Sequence, residues 1–329
     1  MKLPVIFLMG PTASGKTALA IALCERLPLE IVSVDSAMVY CGMDIGTAKP
    51  DATTLRAAPH RLIDIRDPAE VYSVADFCED ARREIDAIHK QGRVPLLVGG
   101  SMMYFKSLLN GLADMPPANA EIRAAIEAEA KAHGWPTMHR QLMTVDPESA
   151  RQLHPRNSQR ITRALEVYRQ SGKAMTYWRQ KQNPDQQLDN YFKVIQLALF
   201  PECRRQLHCK IGQRFQQMLN RGFIDEVREL RQRSDIHLEL PSMRCVGYRQ
   251  VWQYLDDLEG QTPAVTEAHL FERAAAATRQ LAKRQITWLK TWEVNQKISS
   301  DLGHCEKNIE KTLKFLTSES IIIKQVVKH

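Results

Sequence analysis

Eight residues near the start of the chain have the types and spacing of a phosphate-binding loop. They are Gly10-Pro11-Thr12-Ala13-Ser14-Gly15-Lys16-Thr17, which fits G-x-x-x-x-G-K-[ST]. In this motif, the P-loop, backbone N–H groups curl around phosphate oxygens at the start of a helix. The lysine reaches the outer phosphate as a point charge, and the threonine hydroxyl contacts a magnesium ion. The motif therefore predicts bound phosphate, but not the reaction.

Asp35 is a second candidate, because it directly follows the apolar segment Ile31–Val34. If that segment is a strand parallel to the one before the P-loop, both strands end at the same edge of the sheet. A carboxylate beside a bound phosphate can act as a general base or join the coordination shell of a magnesium ion. It can equally cap the next helix or turn. The residues alone leave these roles open.

The segment Val94–Val98 runs into Gly99-Gly100-Ser101, where an ATP hydrolase commonly carries a Walker B carboxylate. Glycines allow a close approach of the backbone, and Ser101 contributes one hydroxyl. The sequence here is thus weak evidence against ordinary ATP hydrolysis.

The elements that must position these residues alternate between strands and helices over the first 110 positions. Continuous apolar strands separated by helices predict an α/β fold, with a P-loop nucleotide-hydrolase-like parallel sheet flanked by helices. We predict strands at Val5–Met9, Ile31–Val34, Leu62–Ile65 and Val94–Val98, and helices at Lys16–Leu27 and Val74–Gln91.

After Met115-Pro116-Pro117 the pattern becomes helical and polar, and it returns to a strand only at Tyr191–Leu199. The prediction is a core built from residues 1–114 and 191–295, interrupted by a helical insertion at 115–190. Within the insertion, 180–190 is predicted to be a surface loop. Further helices are predicted at 207–219 and 271–292, and residues 296–329 form a tail of unknown role.

Charge is uneven along the 329 residues. Residues 1–114 hold 12 Lys and Arg against 14 Asp and Glu, residues 115–200 hold 12 against 8, and residues 201–329 hold 21 against 16. A basic excess outside the P-loop region favours a polyanionic partner such as nucleic acid, although a solvated basic face would look the same. Seven scattered cysteines and the lack of a long apolar run predict an intracellular protein with reduced thiols and no membrane span.

Several longer motifs together resemble the tRNA dimethylallyltransferase family, also called tRNA isopentenyltransferases. The resemblance runs from the P-loop to about Trp292. It is carried by the P-loop, Ser33–Met38, Met43–Pro50, Leu97–Gly100, Arg244–Arg249 and Thr278–Arg284.

The resemblance implies transfer of a dimethylallyl group from dimethylallyl diphosphate to N6 of the adenosine 3′ of the anticodon in tRNA. The P-loop and Arg214 would then bind the diphosphate, with Lys16 and Mg²⁺ near Thr17 stabilising its departure. Asp35 occupies the family position of the general base. Ser101 stands where many relatives have threonine, which keeps the hydroxyl but loses the methyl group.

The family also implies a tRNA-binding surface, and we expect the anticodon stem-loop as partner, a monomeric enzyme and a cytoplasmic location. Arginine and lysine at helical spacing are usually a solvated face, but here three such clusters match family segments. The predicted tRNA-binding residues are Asp35, Ser36, Ala37, Met38, Ser101, Arg123, Gln159, Arg160, Ile161, Thr162, Arg163, Arg244, Cys245, Val246, Gly247, Tyr248, Arg249, Thr278, Arg279, Gln280, Leu281, Ala282, Lys283 and Arg284.

Two other functions are open at this point. A P-loop kinase acting on a small molecule or RNA would share the P-loop, Asp35 and the fold, but it would require a nucleotide. A tRNA-binding protein without catalysis would explain the basic clusters but leave Lys16 and Asp35 without a role.

Overall fold

The computed structural model describes residues 2–181, 184–260, 266–300 and 305–318. Its centre is a parallel sheet of six strands in the order β3-β2-β4-β1-β5-β6. All neighbouring strands within it run in parallel, so each connection passes over a face of the sheet. The strands are β1 (Leu3–Met9), β2 (Leu29–Val34), β3 (His60–Arg61), β4 (Val94–Gly99), β5 (Phe192–Phe200) and β6 (Gln296–Ser299).

Helices connect the strands and also form the inserted segment. In chain order they are α1 (Lys16–Cys24), α2 (Ala52–Ala57), α3 (Val74–Lys90), α4 (Met102–Asn110), α5 (Ala120–His133), α6 (Trp135–Val145), α7 (Pro147–Gln152), α8 (Ser158–Ser171), α9 (Met175–Gln180), α10 (Leu188–Tyr191), α11 (Arg204–Asn220), α12 (Phe223–Arg231), α13 (Tyr248–Glu259), α14 (Glu267–Lys290) and α15 (Cys305–Ser318), with a short 3₁₀ turn at 184–186.

The register of the three central strands places the predicted site residues at one edge of the sheet. Gly99, at the end of β4, is level with Val34 at the end of β2 and with Met9 at the end of β1. The residues that follow these three positions therefore leave the sheet side by side. A Cβ on Gly99 would lie 1.9 Å from the carbonyl oxygen of Val34, so glycine is required for this close approach of the strands.

Both faces of the sheet are buried, as the continuous apolar strands predict. One face packs on α1 and α15, with Leu23 and Leu316 fully buried against it. On the other face Phe7 meets Phe105 of α4 at a ring-centroid distance of 4.9 Å. The α/β sheet with flanking helices predicted from the sequence is thus confirmed.

The strand predicted at Leu62–Ile65 is wrong, because β3 is only His60–Arg61. Leu62 and Asp64 adopt positive φ angles of 61° and 55°, which turn the chain out of the sheet. The Asp64 carboxylate then accepts a hydrogen bond from the buried ammonium group of Lys49. The predicted strand is therefore a loop, and its Asp64 pairs with the buried Lys49.

The contacts divide the chain into a unit of residues 1–109 and 191–329 and a second unit of residues 110–190. The second unit has its own core, in which Ile126 of α5, Leu142 of α6 and Ile161 of α8 are fully buried. The surface loop predicted at 180–190 contains the short helix α10, and residues 182–183 of it lie outside the described part.

The predicted tail supplies ordered structure to the first unit. β6 pairs in parallel with β5, and α15 packs on α1 with Thr312 and Leu316 completely buried. Residues 301–304 and 319–329 of this tail lie outside the description. None of the helices within the described ranges is both long and apolar enough to cross a bilayer.

Candidate active site

The P-loop connects β1 to α1 and has the backbone shape of a phosphate cradle. Ala13 and Gly15 adopt positive φ angles of 61° and 86°, so successive N–H groups turn toward one concave surface. The Ser14 hydroxyl is buried, and no described residue forms a hydrogen bond with its oxygen. A buried hydroxyl is costly to leave unpaired, and a phosphate oxygen would satisfy it. The loop thus fits an oxyanion.

Two cations meet at this loop. Burial and the nearby guanidinium of Arg214 lower the pKa of Lys16 to about 7, although the carboxylate of Asp35 acts in the opposite direction. Burial also lowers the pKa of Arg214, again opposed by Asp35. Lys16 Nζ donates to Pro11 O at 2.7 Å, and Arg214 donates to Thr47 O at 3.2 Å. Two half-buried positive groups beside one another are typical of a site for a multiply charged anion.

Helix α11 forms the wall opposite the P-loop, across a cavity of about 330 Å³. Arg214 was predicted here from the sequence, but Lys210, Gln213 and Gln217 were not assigned to the site. Their spacing from Arg214 places all four on one face of the helix, and this spacing was the available signal. Lys210 also donates to Ser300 O at 2.7 Å, which connects α11 to the residue that follows β6.

Asp35 follows β2, and its carboxylate is held by the turn that comes after it. Oδ1 accepts the N–H groups of Ala37 at 2.9 Å and Met38 at 3.4 Å. No described residue donates a hydrogen bond to Oδ2. The Ser101 hydroxyl accepts from Ser36 N at 3.1 Å, which joins the ends of β2 and β4. One carboxylate oxygen is thus fixed and the other is available to a substrate.

The motif Met43–Pro50 is a loop organised by Glu226 of α12. Its carboxylate accepts the N–H groups of Asp44, Ile45 and Gly46 at 2.9, 2.6 and 3.1 Å. It also accepts the hydroxyl of Tyr248 at 2.5 Å, and burial beside this carboxylate raises the tyrosine's pKa. The loop in turn supplies the carbonyl that holds Arg214. Glu226 was missed in the sequence because its partners lie about 180 positions away.

Several predicted tRNA-binding residues have buried side chains, so their own contact with tRNA stays a prediction that could involve only the backbone. Tyr248 is completely buried against Phe223, with ring centroids 5.0 Å apart. These side chains pack in the protein interior. The others of this kind are Ile161, Thr162 and Ala282.

The remaining predicted tRNA-binding cations differ in their surroundings. In the second unit, Arg123 and Arg163 bind the fully buried carboxylate of Glu166 at 3.0 and 2.9 Å. Burial would raise the pKa of Glu166, but hydrogen bonds from Asn119 N–H and these arginines lower it. Arg244 pairs with an acidic neighbour on its own loop. Exposed cations of this set that form no ion pair with a described residue are Arg160, Arg249, Lys283 and Arg284.

The residues around Thr17 fit a magnesium ion that binds together with a phosphate ligand. Thr17 is exposed and lines the cavity. Magnesium takes oxygen ligands and commonly receives most of them from phosphates and water. Within the described ranges there is no group of three His, Cys, Asp or Glu side chains able to form a separate metal site.

Comparison with known proteins decides between the functions that the sequence left open. Residues 38–292 match the family model described as IPP transferase. The chain belongs to the IPP transferase family. The match begins after the P-loop and Asp35, so it does not itself include these residues. Family membership makes the chain a prenyltransferase and confirms the resemblance predicted from its motifs.

Solved structures similar to this IPP transferase family member include the tRNA isopentenylpyrophosphate transferase from Bacillus halodurans, at 32% identity and a TM-score of 0.67, with 100% of both chains covered. The tRNA isopentenylpyrophosphate transferase from Staphylococcus epidermidis is similar at 29% identity and a TM-score of 0.66, covering 97% of this chain and all of the other. A eukaryotic dimethylallyltransferase, with 24% identity, shares the fold at a TM-score of 0.79 over 97% of this chain and 79% of its own.

Proposed function

We propose that the protein transfers a dimethylallyl group from dimethylallyl diphosphate to N6 of the adenosine 3′ of the anticodon in tRNA. The observation that carries this proposal is the meeting of a cationic phosphate cradle with the Asp35 carboxylate at one edge of the sheet. The family membership argues against the kinase, and the cradle argues against a protein that only binds tRNA.

On the donor side, the P-loop amides, Lys16 and Arg214 bind the diphosphate. Negative charge grows on the leaving oxygen as the bond to the prenyl carbon breaks. Donors that are already in place stabilise this charge more than they stabilise the bound substrate, and so they lower the barrier. Lys210 adds a third cation on the wall formed by α11.

On the acceptor side, Asp35 removes the proton from N6. The lone pair of this nitrogen is delocalised into the adenine ring, so it becomes nucleophilic only as the proton leaves. Oδ1 is held by Ala37 N–H, which orients the carboxylate and leaves Oδ2 for the proton. The Ser101 hydroxyl, beside Ser36, would hydrogen-bond to the adenine or its ribose.

The adenosine must leave the stacked anticodon loop to reach this site, and unstacking costs about a few kcal/mol. We propose that exposed Arg160, Lys283 and Arg284 offset that cost by contacting phosphates of the anticodon stem-loop. The enzyme would act as a monomer in the cytoplasm. Magnesium held by Thr17 and the diphosphate would supply further positive charge at the leaving group.

The test is to incubate the protein with an unmodified tRNA transcript, Mg²⁺ and radiolabelled dimethylallyl diphosphate, with and without ATP. Label should enter the tRNA equally well in both cases. A transcript with guanosine in place of the adenosine 3′ of the anticodon is the matched control and should stay unlabelled. Absence of label from the normal transcript, or a requirement for ATP, would overturn the proposal.

Donor binding should also be coupled to proton uptake by Lys16. Its pKa is lowered to about 7, so the free enzyme carries a largely neutral amine at pH 8 and an ammonium group at pH 6. The anionic donor favours the charged form and raises the pKa. Binding at pH 8 should therefore take up about one proton, and binding at pH 6 should take up much less. Calorimetry in buffers of different ionisation enthalpy measures this difference, which should disappear in Lys16→Met.

A further inference from the structure

Gln285 of α14 bridges two loops of the active site with a single side-chain amide. Its Oε1 accepts the N–H of Thr12 in the P-loop at 2.8 Å, and its Nε2 donates to Gly100 O, after β4, at 3.0 Å. The residue is 9% exposed, although the two residues before it, Lys283 and Arg284, are exposed cations. A buried glutamine with both ends of its amide engaged fixes the groups that it contacts.

The two loops joined in this way serve different substrates. Thr12 belongs to the cradle that would hold the donor diphosphate. Gly100 precedes Ser101, whose hydroxyl accepts from Ser36 N beside Asp35 on the acceptor side. Gly100 also fits closely, since a Cβ there would lie 2.3 Å from Nε2 of Gln285. The amide therefore sets the spacing between the donor and acceptor halves of the site.

We propose that Gln285 is a positioning residue for prenyl transfer, which holds the P-loop and the Gly100–Ser101 turn in register through Thr12 N–H and Gly100 O. The proposal rests on the proposed function. Transfer between two substrates is sensitive to their relative placement, and an error of about 1 Å can cost about 100-fold in rate.

Gln285 also connects the site to α14. Lys283 and Arg284, two positions and one position before it, are exposed cations of the predicted tRNA-binding segment. A helix contacted by tRNA phosphates is thereby attached directly to the loops that hold the reacting groups. The charges that bind tRNA remain when the amide is changed. A substitution of Gln285 should therefore lower kcat and leave the KM for tRNA nearly unchanged.

Only a side chain with an acceptor and a donor at the same branch point satisfies both loops. In Gln285→Glu, one oxygen still accepts from Thr12 N–H, but the other faces Gly100 O and repels it. Protonation of that oxygen would restore a donor and with it the original pair of hydrogen bonds. Gln285→Met has similar length and neither hydrogen bond at any pH.

The experiment measures kcat for tRNA prenylation by the wild type, Gln285→Glu and Gln285→Met between pH 5.5 and 8. We expect both variants to lose about 10- to 100-fold in kcat at pH 8, with the KM for tRNA within about twofold. The kcat ratio of Gln285→Glu to the wild type should rise at least fivefold as the pH falls. The ratio for Gln285→Met should stay flat.

Charged groups on the elements around Gln285 are Lys16 on the P-loop, Asp35 after β2, Lys283 and Arg284 on its own helix, and Lys106 of α4, which lies over Trp288 of that helix. They are present in all variants, so the ratio to the wild type at the same pH removes the pH dependence that both proteins share, and Gln285→Met shows what remains without a new charge. Gln232→Glu, which adds the same charge at an exposed helix end, should match the wild type.

The outcomes distinguish a failure of the proposed function from a failure of the role of Gln285. An inactive wild type overturns the proposed function itself. An active wild type with normal variants, or with a pH-independent ratio for Gln285→Glu, overturns only the role of Gln285. If Gln285→Met does not fold, as judged by circular dichroism, the pH-dependent ratio of Gln285→Glu decides alone.

Discussion

Replacing Asp35 by asparagine should lower kcat for tRNA prenylation by about 10²- to 10⁴-fold, the usual contribution of a general base. Asparagine retains an oxygen that can accept the N–H groups of Ala37 and Met38, so the turn after β2 keeps its shape. It loses the negative charge and the ability to take a proton from N6. The affinity for tRNA should change by less than about threefold, because this change removes no cation from the binding surface.

Single-turnover kinetics with a saturating donor separate the chemical step from binding, and filter binding gives the tRNA affinity. Asp51→Asn is the matched control. Asp51 caps α2 by accepting Thr54 N–H at 2.8 Å, and asparagine caps equally well. Its kcat should equal that of the wild type. If Asp35→Asn instead loses tRNA binding and keeps its single-turnover rate, Asp35 is a binding residue and not the base.

The sequence was sufficient to predict the part of the site that lies at the strand ends. Asp35, Ser101 and the P-loop each directly follow a strand, and in a parallel sheet those ends lie at one edge. Each apolar strand and the polar residues that follow it can be recognised from a short stretch of sequence. The structure adds the level register of Met9, Val34 and Gly99, which places the residues after them side by side.

The parts that sequence reasoning missed depend on contacts between distant positions. Gln285 reaches a loop 273 residues away, and nothing in the pattern of α14 separates it from the polar residues around it. β6 has only four residues, and its place in the sheet follows from pairing with β5. A segment of four residues carries too little periodicity to predict an edge strand.

The sequence also did not predict which partners the charged residues of the second unit would have. Arg123 and Arg163 were predicted as tRNA contacts from their family positions, yet both neutralise the buried Glu166. A buried carboxylate requires such partners, and its burial is a property of the folded second unit. The sequence indicated where positive charge is needed but not which carboxylate it serves. Contact with tRNA at these two arginines stays a prediction.

Replacing Lys16 by methionine should lower kcat/KM for dimethylallyl diphosphate by about 10²- to 10³-fold, the range seen when a preorganised donor to developing negative charge is removed. Methionine keeps much of the length of the lysine side chain in this half-buried position and removes its charge. Arg214 remains across the cavity, so the diphosphate still binds, and most of the loss should appear in kcat. The effect should be larger below pH 7 than above it, since only there is the free wild-type lysine mostly charged.

Measurement of kcat and KM for the donor at pH 6 and pH 8 checks this result, with Lys90→Met as the control because it removes an exposed charge at the end of α3. A loss confined to KM would mean that Lys16 binds the ground state and the transition state equally. Such a result would assign the leaving-group stabilisation to Arg214 and the P-loop amides. The two cations can be tested separately because they lie on different segments. Lys16 projects from the P-loop itself, whereas Arg214 of α11 is held by the carbonyl of Thr47.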